Sequence, residues 1–142
     1  MEDFPENSIA ENLYRQGMSY NWRDMPADAA LSRAAFENSA LLGHTKAIRE
    51  LADMTFYGSG GPKDQERALW LKWLAFRKND EDALEELSAM LASYSESAAD
   101  AATQKRAKNA AMKAEEAKEN LAYVSSFVLN LKLHGGGQRQ QS

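Results

Sequence analysis

The strongest constraint on this chain is an eight-residue break, Tyr57-Gly58-Ser59-Gly60-Gly61-Pro62-Lys63-Asp64, set between two stretches of helical periodicity. Upstream, Ala47, Leu51 and Met54 recur at i, i+4 and i+7 and form one stripe. Downstream, a second pattern opens near Asp64 and runs through Ala68, Leu71 and Ala75. The two sides are related by 36 residues: Gly43 maps to Asn79, Ala47 to Ala83, Ile48 to Leu84, Glu50 to Glu86, Leu51 to Leu87 and Met54 to Met90. Four of these pairs are identical and fall in one eight-residue window. A period of this size belongs to helix–turn–helix units that bury their apolar faces on their neighbours. The expected fold is all-α, a short right-handed solenoid of antiparallel helix pairs.

Ser39 and Ala40, Gly43, Ala47, Leu51, Gly58-Ser59-Gly60, Pro62, Asp64 and Ala68 follow one another in a characteristic order, and Ala75, Asn79, Ala83 and Leu87 continue it. Over roughly Ser32 to Ala92 the chain resembles Sel1-like repeats, relatives of the tetratricopeptide repeat. The resemblance implies small residues where two helices cross and turn roles for Gly43, Gly58, Gly60 and Asp64. The sequence departs from the family at its early aromatic pair, which is Phe36 in one copy and Leu71-Lys72, with tryptophans at 70 and 73, in the other. The tyrosine that closes the family's second helix is Thr55 or Leu91 here. The resemblance further implies a non-catalytic protein–protein interaction module. Its most concrete form is an immunity-type inhibitor that neutralises a bacterial toxin or effector, because short chains of this kind are encoded beside such toxins. The alternative is an adaptor or scaffold in signalling or secretion-system assembly.

Residues 1–96 are expected to hold the repeats with an N-terminal cap, 97–134 a helical cap or coiled-coil segment, and 135–142 a flexible tail. Ile9 to Tyr20 reads as a helix and as the second half of an earlier copy. Ala27 to Leu42 is the first full helix, ended by Gly43-His44, and His44 is expected in a solvated turn. Its partner runs to Tyr57, after which Gly58 caps, Pro62 forbids continuation and Asp64 can accept from the free amides of the next helix. Tyr94-Ser95-Glu96-Ser97 replaces the Gly-x-Gly turn, so the regular array is expected to end there. Beyond it, Ala107, Ala110, Ala114, Ala117, Leu121, Val124, Val128 and Leu131 alternate steps of three and four, a coiled-coil spacing. The segment from about Ser97 to Leu133 reads as one long helix or two helices with a subtle break, and this C-terminal helical segment either caps the solenoid's open end or pairs with another chain.

The segment from Gln65 to Lys78 is apolar around most of its circumference. Leu71, Leu74 and Ala75 make one stripe, while Trp70, Trp73 and Phe76 make another beside it. Such a helix is either buried on both sides or presents a binding ridge. Asp82 suits a helix's first turn, but Glu85 and Glu86 add like charge beyond what capping requires. The candidate partner-binding set is therefore Trp70, Trp73, Phe76, Asp82, Glu85 and Glu86, with a core role for the two tryptophans as the alternative.

Net charge of −4 disfavours a general nucleic-acid binder and suits a basic protein partner such as a toxin. No window reaches the apolar length of a membrane span, no secretory signal opens the chain, and cysteine is absent, which together lead to the expectation of a cytoplasmic protein, monomeric or weakly dimeric. No cofactor, metal site or catalytic residue is expected. The lysine behind the glycines lacks a preceding strand and the Gly-Lys-Ser/Thr ending of a phosphate loop. His44 and His134 form no metal motif, and Asp80 to Glu86 lack the glycine and spacing of a calcium loop.

Overall fold

The computed structural model of the protein describes residues 8–20, 24–98, 100–116 and 123–131. The expected tail at 135–142 lies outside them. The described residues are all-helical, without strands: α1 (Ile9–Ser19), α2 (Pro26–Leu41), α3 (Thr45–Tyr57), α4 (Gln65–Arg77), α5 (Asp82–Ser97), α6 (Ala101–Glu116) and α7 (123–131). From α1 to α6 each helix packs extensively on the helix before it and the helix after it.

The turns that start and stop these helices recur at 36 residues. Gly43 has φ +88° and closes α2 with bonds from Leu42 N to Ser39 O, Gly43 N to Ala40 O and His44 N to Ser39 O. The same three bonds return as Lys78 N to Ala75 O, Asn79 N to Phe76 O and Asp80 N to Ala75 O. Asn79 is the one non-glycine residue at positive φ among those described, at +78°. Asparagine tolerates this region better than other side chains, which is why it can stand where the earlier pair has glycine.

Helix starts repeat in the same way. Ser8 Oγ accepts from Glu11 N to cap α1, and 36 residues later His44 Nδ1 accepts from Ala47 N to cap α3. Asp64 Oδ1 accepts from Arg67 N at the head of α4, and 36 residues later Asp100 Oδ1 accepts from Thr103 N at the head of α6. A side-chain cap satisfies an amide that the helix leaves orphaned and contributes about 1 kcal/mol. Tyr94-Ser95-Glu96-Ser97, where the regular array is expected to end, lies in the last turn of α5. Losing the Gly-x-Gly turn changes the connection, but Asp100 restarts the helix on the same spacing.

The Gly58–Pro62 connection is locked onto α2. Gly58, at φ +76°, is the left-handed C-cap of α3. Arg33 is buried, and its guanidinium donates to Ser59 O at 3.1 Å and Pro62 O at 2.9 Å. Gly60 lies so close to α2 that an added Cβ would sit 2.4 Å from Ala29 O. Here the glycine serves both a positive φ (+71°) and a backbone approach.

Two apolar clusters run along the chain. One joins Phe36, Ala47, Ile48, Leu51, Met54, Leu71, Ala75 and Ala83. The other joins Phe56, Leu69, Trp73, Leu87, Leu91, Tyr94, Ala107, Ala110, Val124, Phe127 and Val128. Trp70 and Phe76 pack against both. Burial is again periodic, with Ala47 and Ala83, Leu51 and Leu87, and Met54 and Met90 all in the core.

The C-terminal segment is not one long helix. Gln104 Nε2 donates to Ala98 O and Ser88 Oγ donates to Ala111 O, so α6 runs back along α5. The Phe127 ring lies 6.4 Å from the Tyr94 ring, beside the part of α5 that lies between those two bonds. A continuous helix would carry residue 127 about 24 Å past Ala111 at 1.5 Å per residue. The chain instead returns, and α7 lays Val124, Phe127 and Val128 into the same cluster as Ala107 and Ala110. These seam positions are buried within one chain. Ala117 and Leu121 lie outside the described residues, as does the side chain of Ala114.

Candidate protein-binding surface

Polar groups inside the fold converge on one place, between α3, α4 and the head of α5. Lys72 sits mid-helix among Leu71 and Trp73 and is fully buried. Its Nζ bonds Asp53 Oδ1 at 2.7 Å and Glu86 Oε1 at 2.6 Å. A buried ammonium is tolerated only when its N–H groups find acceptors, and these two carboxylates accept from the helices on either side. Arg49 extends the network, with Nη1 3.2 Å from Asp80 Oδ1 and 3.7 Å from Asp82 Oδ2, and Nε 3.8 Å from Glu86 Oε1. Burial works against the Arg49 charge, but Asp80, Glu86 and Glu50 outweigh it and raise its affinity for the proton.

A second polar cluster ties α1 to the head of α3. His44 is buried rather than solvated, which corrects the expectation of an exposed turn histidine. Its Nδ1 accepts from Ala47 N, so Nε2 carries the proton and donates to Glu11 Oε1 at 2.8 Å. Tyr14 stacks on the imidazole at 4.6 Å. The bond from His44 holds the Glu11 carboxyl below the usual carboxylate range against the opposing effect of burial, with Arg15 at 2.8 Å adding to it. Burial pushes the Tyr14 hydroxyl up, helped by the Glu50 charge.

The six residues expected to bind a partner do not form one exposed patch. Trp73 is 6% exposed and belongs to the core, tilted against Phe76 at 5.7 Å with the Arg77 guanidinium 5.9 Å from its ring centre. Trp70 and Phe76 are half-buried and fill the junction of the two clusters. Glu86 is committed to Lys72. Asp82 and Glu85 are exposed on the first turn of α5. The apolar ridge inferred from helix periodicity is thus divided, with Trp73 inside and Trp70 at the margin. The carboxylate pair is divided too, with Glu86 half-exposed and bonded to Lys72 and Glu85 fully on the surface. The physical reason is Lys72: its buried charge draws in the acidic side chain from the facing helix. A lysine between Leu71 and Trp73 was the available signal.

The turn residues are placed otherwise. Gly43, Gly58 and Gly60 all have positive φ, and Asp64 caps α4. Among the described residues no three His, Asp or Glu side chains are arranged to hold a metal ion, and no helix is long and apolar enough to cross a membrane.

Exposed apolar side chains also lie on α2 and its C-cap. Leu31, Leu41 and Leu42 are 55%, 83% and 51% exposed, and Ala27, Ala30 and Ala34 are exposed as well. Comparison with known proteins gives no relative: no family model, curated protein or solved structure matches this chain.

Proposed function

We propose that this chain is a non-catalytic protein-binding module, a short right-handed solenoid of Sel1-like helix pairs. In its most concrete form it is an immunity-type inhibitor that grips and neutralises a bacterial toxin or effector. The observation that carries this reading is the 36-residue recurrence of caps, turns and buried positions from Ser8 to Asp100. An array in which each pair needs only its neighbours leaves long outer faces free for a partner. The buried ionic groups support the same reading, since Lys72, Arg49 and His44 are tied to carboxylates of neighbouring helices.

The contact region would centre on the margin of α4 and the head of α5, with Trp70 as the aromatic anchor and Asp82 and Glu85 as an acidic rim. Trp73, Phe76 and Glu86 would hold that region in shape from behind. A basic partner would be steered by the rim and retained by aromatic burial. The test is co-expression with the product of the adjacent gene. Protection from its toxicity and a stable complex that Trp70→Ala and Glu85→Lys weaken would support the inhibitor. Binding that leaves the partner's activity unchanged would identify an adaptor, and no binding would remove the reading.

A further inference from the structure

We propose that the open edge of α6, formed by Ala101, Lys105, Lys108 and Met112, is a docking surface for an acidic helix of another protein. This goes beyond the partner-binding region at α4 and α5 and does not depend on it.

These four positions recur at i, i+4, i+7 and i+11 and form one stripe, exposed along its whole length. Their counterparts 36 residues earlier are Gln65, Leu69, Lys72 and Phe76 on α4, and before those Ala29, Arg33, Phe36 and Ala40 on α2. None of these counterparts is exposed. The unit that follows covers them. On α2, the Gly58–Pro62 connection lies on Ala29 and Arg33, and Phe36 shares a cluster with Leu71 and Ala75 of α4. On α4, Ser97 Oγ donates to Gln65 Oε1, Leu69 shares a cluster with Leu91 and Tyr94 of α5, and Lys72 donates to Glu86. On α6, α7 joins the cluster of Ala107 and Ala110 and leaves the stripe open. The edge on which one unit stacks upon the next is therefore uncovered here.

Charge selects the occupant. Lys108 stands where Lys72 stands in the preceding unit, but the counterparts of the Asp53 and Glu86 carboxylates that hold Lys72 are Ala89 and Ala122. Among the described residues neither Lys105 nor Lys108 forms an ion pair. Two ammonium groups one helical turn apart fit carboxylates spaced three or four residues apart on a facing helix. Met112, 51% exposed, offers an apolar contact at one end of the stripe, and Ala101 lets a helix approach closely at the other. An amphipathic helix laid in such a groove is a recurring mode of recognition. The chain itself does not supply the charge, since its sequence beyond Glu119 holds no aspartate or glutamate and its Lys132 and Arg139 have the same sign as the stripe. Pairing the stripe with that of a second copy would set lysine against lysine.

The probe is a fluorescein-labelled, stapled helical peptide with glutamates at i and i+4 and a leucine at i+8, and its control carries lysine in place of each glutamate. Fluorescence anisotropy with the full chain should show binding of the acidic peptide, weakened by added salt, and none of the control. Lys105→Glu with Lys108→Glu should raise the dissociation constant at least about tenfold with an unchanged thermal melt. Lys46→Glu, at an exposed lysine of α3, should leave it unchanged. No binding, equal binding of the lysine control, or indifference to the α6 substitutions would each overturn the proposal. Sedimentation of the chain alone that gives a dimer, lost when Lys105 and Lys108 are both replaced by glutamate, would make a second copy the occupant and overturn it as well.

Discussion

Phe36 and Lys72 stand 36 residues apart and fill the same place in successive helix pairs, each fully buried. Each faces the residue 19 positions earlier. For Phe36 this is Gly17, where an added Cβ would lie 2.6 Å from the ring. For Lys72 it is Asp53, bonded at 2.7 Å. One architecture thus uses two solutions for one site: an aromatic ring laid on a glycine, and an ammonium held by a carboxylate.

The two solutions should be exchangeable only as pairs. Lys72→Phe alone is expected to destabilise by roughly 3 kcal/mol, because it crowds Asp53 and removes the cation that Asp53 and Glu86 share, with only Arg49 left beside Glu86. Adding Asp53→Gly should recover part of this loss, although glycine within a helix costs about 1 kcal/mol. Denaturant melts of the two single variants and the double variant measure the coupling. Simple additivity would mean that the two sites are not equivalent.

The glycines separate backbone strain from contact. Gly43 has positive φ but nothing within 4 Å of an added Cβ, so Gly43→Ala should cost about 1 kcal/mol. Gly43→Asn should cost less, since Asn79 already holds the equivalent conformation. Gly60→Ala carries the same strain and also drives a Cβ into the backbone of α2 at Ala29, so its melting temperature should fall further than that of Gly43→Ala. Equal losses would show that the connection withdraws from α2 without cost.

Acid should loosen the α1–α3 contact first. Glu11 is held below the usual carboxylate range by its bond from His44. A group whose folded pKa is depressed contributes stability that is present above its unfolded value and lost as pH falls through the folded one. Melts of the parent chain should therefore decline across the acidic carboxylate range. Glu11→Gln should be less stable at neutral pH and should decline less steeply there. Parallel curves for the two proteins would assign the acid sensitivity to another group.

Much of the fold was legible because the signals involved are local. Gly58, Pro62 and Asp64 mark a stop, a break and a start through their own backbone chemistry, and the Ala47–Met54 stripe carries its period within two turns. The 36-residue spacing of the caps Ser8 and His44, and of Asp64 and Asp100, was hidden because caps tolerate several residue types, so serine, histidine and aspartate perform one task without resembling one another. The return of α7 onto α5 was hidden for a different reason. An unbroken heptad pattern fits one long helix and two antiparallel helices equally well, and only the Tyr94–Phe127 contact decides between them. The candidate site was the least legible part. Helix periodicity places Trp70 and Trp73 on adjoining faces, but which face turns inward depends on where Lys72 finds its carboxylates in the neighbouring helices.

That division separates stability from binding at four positions. Trp73 is core, so Trp73→Ala should lower the melting temperature by the equivalent of about 3–5 kcal/mol. Trp70 is half-buried at the margin, so Trp70→Ala should cost less stability and mainly speed dissociation of a partner. The carboxylates should divide the same way. Glu86→Lys would set a third cation beside Lys72 and Arg49 and should impair folding. Glu85→Lys alters only an exposed first-turn position, where losing a favourable dipole interaction costs about 0.3–1 kcal/mol. It should leave the fold intact while slowing association with a basic partner. Thermal melts and binding kinetics on these four variants test both halves. A stable Trp73→Ala protein that releases its partner faster would return Trp73 to the interface. A Glu85→Lys variant that binds unchanged would remove the acidic rim from the contact.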